Sequence, residues 1–142
     1  MNILWRIANK LYKLGFAGGG HFFKLIQCVL YANSVSAKCT IGAGTIFYHR
    51  GLGCVVHGSV VIGNNCTVFQ NVTMGSKWSN GICKGGAPII GNNVLIGAGA
   101  VILGNIRVGN NVIIGANAVI LQDIPDDSIA IGVPAKIKKR GL

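Results

Sequence analysis

The sequence holds no glutamate, and its acids are three aspartates, Asp123, Asp126 and Asp127, set against thirteen lysines and arginines for a formal net charge of +10. Such an imbalance favours anionic partners: nucleic acid, an anionic membrane surface, or a phosphate-bearing small molecule, unless the charge serves solubility alone. The basic residues have few aromatics between them, so a stacking platform for bases is missing and nucleic acid ranks last. Five cysteines, at 28, 39, 54, 66 and 83, show no CxxC spacing and are odd in number. That argues against a zinc knuckle and a disulfide framework and fits a reducing cytosol. No run of about 18 apolar residues exists to span a membrane. The opening MNILWRIANKLYKLGF interrupts its apolar residues with Arg6, Lys10 and Lys13, unlike a signal peptide. The cytoplasm is the expected location, with the inner face of the membrane as a second place.

Proline is scarce, at 3, while glycine numbers 22, and 51% of the residues are hydrophobic. One domain's length of chain with many tight turns between short buried strands follows from that balance.

An internal period supplies the architecture. Ile, Val, Met or Phe recurs every six residues at Val35, Ile41 and Phe47, then at Val56, Ile62, Val68 and Met74, then from Ile90 through Ile96, Ile102, Val108 and Ile114 to Ile120. Four places after each stands a small or apolar residue, such as Cys39, Cys66, Val94 or Ala118. A strand alternates with period two and a helix near 3.6, so a strict six needs a corner inside every unit. Gly and Asn-Asn pairs in IGNNC, IGNNV and VGNNV supply residues that tolerate positive φ. IGAGAVILGNI at Ile96 and IGANAVILQDI at Ile114 match at a spacing of eighteen, so three units make one coil of a triangular prism. The expected fold class is all-β, a left-handed parallel β-helix of hexapeptide repeats over residues 34–142 with a basic C-terminal tail. Residues 1–33 form a helical N-terminal cap, read as helices at Ile3–Leu14 and Phe22–Leu30 divided by GFAGGG.

Two breaks interrupt the period: YHRGLGC, which shifts the phase by three residues, and SKWSNGICKGGAP, which inserts a longer Gly-rich loop. Loops thrown from a rigid scaffold are where function concentrates.

With the repeat, the first break carrying His49, the stretch TVFQNVTMG, the block IIGNNVLIGAGAVILGNI and the ending IAIGVPAKI in view, the chain resembles the serine acetyltransferase branch of hexapeptide-repeat acyltransferases. The resemblance runs from about Val35 to Ile137. It implies the left-handed hand of the coil, a homotrimer, and active sites between subunits where acetyl-CoA lies along the coils. It implies His49 as catalytic base, since an imidazole can take a hydroxyl proton as the oxygen attacks a thioester. The bland alternative for His49 is a turn histidine with a local hydrogen bond. Asn33, Ser34, Tyr48 and His57 are expected to bind or orient the acceptor, while His21 reads as structural. Gly75, Ser76, Gly97, Ala98 and Ala116 are the small residues expected along the pantetheine arm, with Lys136 and Lys139 at the phosphates of the cofactor; each could equally meet a requirement of the coil or tail. No metal is expected.

Departures from the pattern shape the acceptor. Ser34 stands where the resemblance puts an orienting aspartate, and Ala87 stands where it puts a second histidine for the substrate carboxylate. The expectation is therefore an O-acetyltransferase acting on a surface-polysaccharide sugar or its lipid-linked precursor. True serine acetylation and a non-catalytic β-helix scaffold are the alternatives, and a zinc hexapeptide protein is disfavoured with two histidines in the coils. Trp5 and Tyr12 either pack on the coil end, the preferred reading, or meet a membrane surface with Arg6, Lys10 and Lys13.

Overall fold

The computed structural model describes residues 3–83 and 85–141; Lys84, which opens KGGAP, lies outside them. Helices α1 (Ile3–Lys13) and α2 (Ala17–Tyr31) precede a series of strands mostly two residues long. The strands stack into three parallel sheets that form the faces of a left-handed parallel β-helix. The first face holds Ser34–Val35, Val55–Val56, Thr73–Gly75, Val101–Leu103 and Val119–Ile120. The second runs from Thr40–Ile41 through Val61–Ile62 and Ile89–Ile90 to Arg107–Val108, and the third from Ile46–Phe47 to Ser128–Ile131.

Register explains the breaks. Ile89 pairs with Arg107 and Leu95 with Ile113, a coil of eighteen residues. Ser34 pairs with Val55, so YHRGLGC lengthens its coil by three, and Val61 pairs with Ile89, so the second break lengthens its coil by ten. Ile113 pairs with Ile129, two residues short of the regular repeat. The coil thus continues beyond Pro125. The basic C-terminal tail includes a strand, Lys136–Lys139, antiparallel to Ser128–Ile131, with its lysines exposed.

Every sixth residue points inward: Val56, Ile62, Val68, Met74, Ile96, Ile102, Ile114 and Ile120 are all buried in one core. Burial of each such side chain is worth about 1.5–3 kcal/mol. The corners are held by an asparagine ladder, in which the backbone N–H of Ala43, Asn64, Asn92 and Asn110 donates in turn to the side-chain Oδ1 of Asn64, Asn92, Asn110 and Asp126. This ladder satisfies corner amides that no strand pairing reaches.

α2 begins five residues before the expected start at Phe22 and runs through Gly18, Gly19 and Gly20. Glycine is about 1 kcal/mol poorer than alanine in a helix. A Cβ on Gly20, however, would stand 3.3 Å from the Ala8 carbonyl oxygen, and one on Gly19 3.2 Å from Leu11 Cδ1. Close packing on α1 outweighs propensity here. α1 in turn covers the coil end, with Trp5 buried, its Nε1 donating to the Ser36 carbonyl at 3.0 Å and Asn9 Nδ2 donating to the Ala37 carbonyl at 2.7 Å. Of the two readings of Trp5, the packed one is found.

Candidate active site

The first break folds as a tight turn, Tyr48–Gly51, in which His49 (φ 49°) and Arg50 (φ 58°) both occupy the left-handed region. For non-glycine residues this conformation costs of order 1–3 kcal/mol each and persists only where surroundings enforce it. The enforcing contacts come from both sides. Tyr48 stacks on Phe69 with ring centroids 5.0 Å apart, and the Gly53 N–H donates to the Ala32 carbonyl at 2.9 Å. Beneath the turn, buried Gln27 on α2 donates through Nε2 to Asn33 Oδ1 at 2.6 Å, and Asn33 Nδ2 donates to the Arg50 carbonyl at 3.1 Å. The Arg50 guanidinium lies 5.7 Å from the centre of the Tyr31 ring. His49 is exposed. Its carbonyl takes the Leu52 N–H at 3.1 Å, while its imidazole meets no hydrogen-bonding partner among the described residues.

Asn33 is thus a brace of the His49 turn. Being 3% exposed, it lies beneath the turn and away from the surface. The late aspartates are no closer to serving His49 within this chain: Asp123 accepts the Arg107 N–H at 2.8 Å, Asp126 ends the asparagine ladder, and Asp127 accepts from Asn111 Nδ2 at 3.0 Å.

A cleft of about 690 Å³ opens on the first face between the helical cap and the second break. Ser34, His57, Thr73, Gly75 and Ser76 form its floor and flank. His21 and Lys24 of α2, together with Lys38, bring positive or titratable groups to it, and Trp78 stands at its edge. His57 Nδ1 accepts the Ser59 N–H at 3.2 Å, which leaves the proton of the neutral ring on Nε2. In that tautomer Nε2 carries a hydrogen-bond donor. Around Gly75 there is room, for a Cβ there would approach nothing nearer than His57 Cβ at 3.9 Å.

The other expected cofactor residues lie elsewhere. Gly97, Ala98 and Ala116 stack at another corner, where the Asn117 N–H donates to the Ala98 carbonyl at 2.8 Å. A Cβ on Gly97 would sit 2.5 Å from the Ala116 nitrogen, so the coil itself demands that glycine. Lys136 and Lys139 belong to the last strand, Lys139 bordering a second hollow with Asn111 and Asp127. One chain does not gather the expected set into one site.

The sequence reading missed the form of the second break and the cations of the cleft. Residues Trp78–Ser79 and Ile82–Cys83 pair as a small hairpin around Asn80 and Gly81, both at positive φ, and Ser76 Oγ donates to the Gly86 carbonyl at 2.8 Å across its base. Asn-Gly between apolar residues is the signal that could have found it. Lys24 and Lys38 carry no local signal.

Burial pushes the Cys39 thiol up to about 12 and raises those of Cys54 and Cys66, so the three pack as small apolar groups. Cys28 and Cys83 are exposed. Among the described residues no three His, Cys, Asp or Glu side chains come together as metal ligands, and no helix is long and apolar enough to cross a membrane.

Comparison with known proteins agrees with this fold. The family described as bacterial transferase hexapeptide (six repeats) matches residues 87–122. A serine acetyltransferase of Staphylococcus aureus (strain N315) is 45% identical over 135 residues, which cover 94% of this chain and 62% of that protein. The crystal structure of Neisseria gonorrhoeae serine acetyltransferase superposes with a TM-score of 0.88 at 35% identity, over 98% of this chain and 53% of that one. A serine acetyltransferase in complex with CoA superposes with a TM-score of 0.84 at 34% identity, over 95% and 54%. The chain therefore spans little more than half the length of the proteins it matches. These relatives carry serine in their names, and the expected leaning toward polysaccharide sugars finds no support among them.

Proposed function

The chain is a hexapeptide-repeat protein, serine acetyltransferase-like in sequence and fold, and from that premise we propose that it moves an acetyl group from acetyl-CoA to a hydroxyl, with free serine as the acceptor. The observation that carries the reading is the His49 turn, a left-handed conformation braced on both sides that presents an exposed imidazole with no hydrogen-bonding partner among the described residues. In the proposed reaction acetyl-CoA supplies the activated thioester. His49 takes the hydroxyl proton as the oxygen attacks the thioester carbonyl and returns it to the departing thiolate. Asn33 and Gln27 hold the turn, Ser34 and His57 contact the acceptor from the cleft, and Tyr48 shields the turn by its stacking on Phe69. Gly75 and Ser76 leave space for the pantetheine arm, and the corner at Gly97, Ala98 and Ala116 with Lys136 and Lys139 serves the same cofactor from a neighbouring chain.

That division supports a homotrimer with sites between subunits. A further support is the apolar outer surface of the coil, where Ile46 (53%), Val55 (48%) and Leu95 (38%) are left exposed in a single chain. Ile46 and Leu95 lie on the third face on either side of Thr67, and Val55 lies on the first, so the faces of neighbouring chains would cover them. Acetyl-CoA as donor and cysteines kept as free thiols support a cytoplasmic site of action.

A sugar hydroxyl remains the second reading because of two positions. Ser34 brings no charge to the cleft, and Ala87 is a buried core residue at 5% exposure, so neither the orienting aspartate nor the second histidine of the serine pattern stands at these positions. The test measures CoA release with L-serine and with a panel of hexoses, each with native protein and with His49→Ala. Serine-dependent release that disappears in the variant supports the main reading. Release with sugars alone transfers it to the second. Failure to bind CoA at all leaves a scaffold.

A further inference from the structure

The outer surface of the helical cap combines two features that a solvated cap would not need. On α1, Trp5 and Ala8 are turned into the protein, and on the opposite side Ile3 (68% exposed) and Ile7, with Leu14 just past the end of the helix, are exposed apolar residues. Arg6, Lys10 and Lys13 follow each other at spacings of four and three, making a cationic stripe beside them. On α2, Gly20 and Gln27 face inward, while Phe22 (60%), Leu25 (65%) and Val29 (76%), at i, i+3 and i+7, project the other way. Phe16 lies exposed between the helices. Apolar groups are thus spread over both outer helix faces, and the cations that flank them have no acid nearby in the chain: the first acid in the sequence is Asp123, and all three aspartates are engaged at the far end of the coil.

We propose that this outer face of α1 and α2 docks on the surface of an anionic phospholipid bilayer, holding the β-helix against the membrane without crossing it. The physics is that of an interfacial amphipathic helix, in which apolar side chains enter the headgroup boundary while lysines and arginines remain at the charged surface. Charge complementarity separates this occupant from a second copy of the chain. Two caps brought face to face would oppose Arg6, Lys10 and Lys13 of one to the same residues of the other with no acid to relieve them, whereas an anionic leaflet neutralises them all. The side chains that do the work differ from those the sequence suggests: Trp5 is committed to the coil end, and Tyr12 lines the cleft with Lys38 Nζ 5.3 Å from the centre of its ring. The proposal is independent of the chemistry assigned to His49.

Flotation of the full chain with vesicles tests it. Vesicles of phosphatidylcholine containing about one third phosphatidylglycerol should carry the protein, and pure phosphatidylcholine should not. Raising the salt should release it, since surface attraction decays within a Debye length of about 10 Å at 0.1 M. Lys10→Gln with Lys13→Gln should lower the partition roughly thirty-fold, from about 1 kcal/mol per surface charge. Phe22→Gln, Leu25→Gln and Val29→Gln together should abolish it while circular dichroism and the oligomeric mass stay those of the native protein. The proposal is overturned if the native chain fails to float with anionic vesicles at low salt. It is equally overturned if the triple variant floats as before, or if that variant loses oligomeric mass, which would assign the face to a second copy.

Discussion

Asn33 Nδ2 donates to the backbone carbonyl of Arg50 at 3.1 Å while its Oδ1 accepts from Gln27. Through this one buried side chain, α2 holds the left-handed turn in which His49 sits. An amide suits the position because it can accept from one side and donate to the other, which neither a carboxylate nor an aliphatic group can do. Asn33→Ala should destabilise the protein by about 1–3 kcal/mol, the cost of a buried polar partner left unmet. It should also lower kcat well beyond any change in the KM for acetyl-CoA. Thermal melts and steady-state kinetics on the same preparation check both, and Asn33→Gln should restore little, because one added methylene displaces both hydrogen bonds.

His49→Ala should lower acetyl transfer by about 10²–10⁴-fold, the usual contribution of a general base. The imidazole meets no hydrogen-bonding partner among the described residues, so the melting temperature should stay within a degree or two and CoA should still bind. Retained turnover would show that the base is elsewhere.

His57→Phe keeps the ring's bulk but removes the Nε2 donor and the Nδ1 acceptor that meets the Ser59 N–H. A donor to bound acceptor predicts a raised acceptor KM with the pH dependence of kcat unchanged. A shift in that pH profile would make His57 a proton carrier instead.

Gly97→Ala and Gly75→Ala should part company. At Gly97 the new methyl meets the Ala116 backbone nitrogen at 2.5 Å, at Gly75 nothing closer than 3.9 Å. The first should cost about 1–3 kcal/mol of stability by overpacking. The second should fold normally and weaken cofactor binding, measured by calorimetry with CoA, by narrowing the cleft.

The buried thiols make a pH prediction. An ordinary value of 9.0 becomes about 12 for Cys39, and burial raises Cys54 and Cys66 as well. The unfolded chain therefore sheds these protons first as pH rises. Their contribution to stability is complete below about 9 and is lost progressively toward 12. Denaturant midpoints between pH 8 and 11 should fall, and Cys39→Ala should flatten the slope. Thiol-reactive reagents should modify Cys28 and Cys83 in the native protein and spare the other three.

The sequence by itself determined the coil. A period of six with Asn-Asn and Gly at the corners admits one inward set, and residues such as Ile62, Ile96 and Ile114 are buried where the period puts them, because the pattern is local and repeats identically in every unit. The position of His49 at the first break was legible for the same reason: a defect shows against a regular background. Tertiary structure alone decided what surrounds it. Glutamine at 27, asparagine at 33 and arginine at 50 reveal no partnership in the linear chain, since it depends on α2 folding back against the first coil. The traversal of Gly18 to Gly20 by that helix, the burial of Trp5 and the turning of Phe22, Leu25 and Val29 outward depend likewise on where the cap lands, a packing choice among faces that local propensity does not encode.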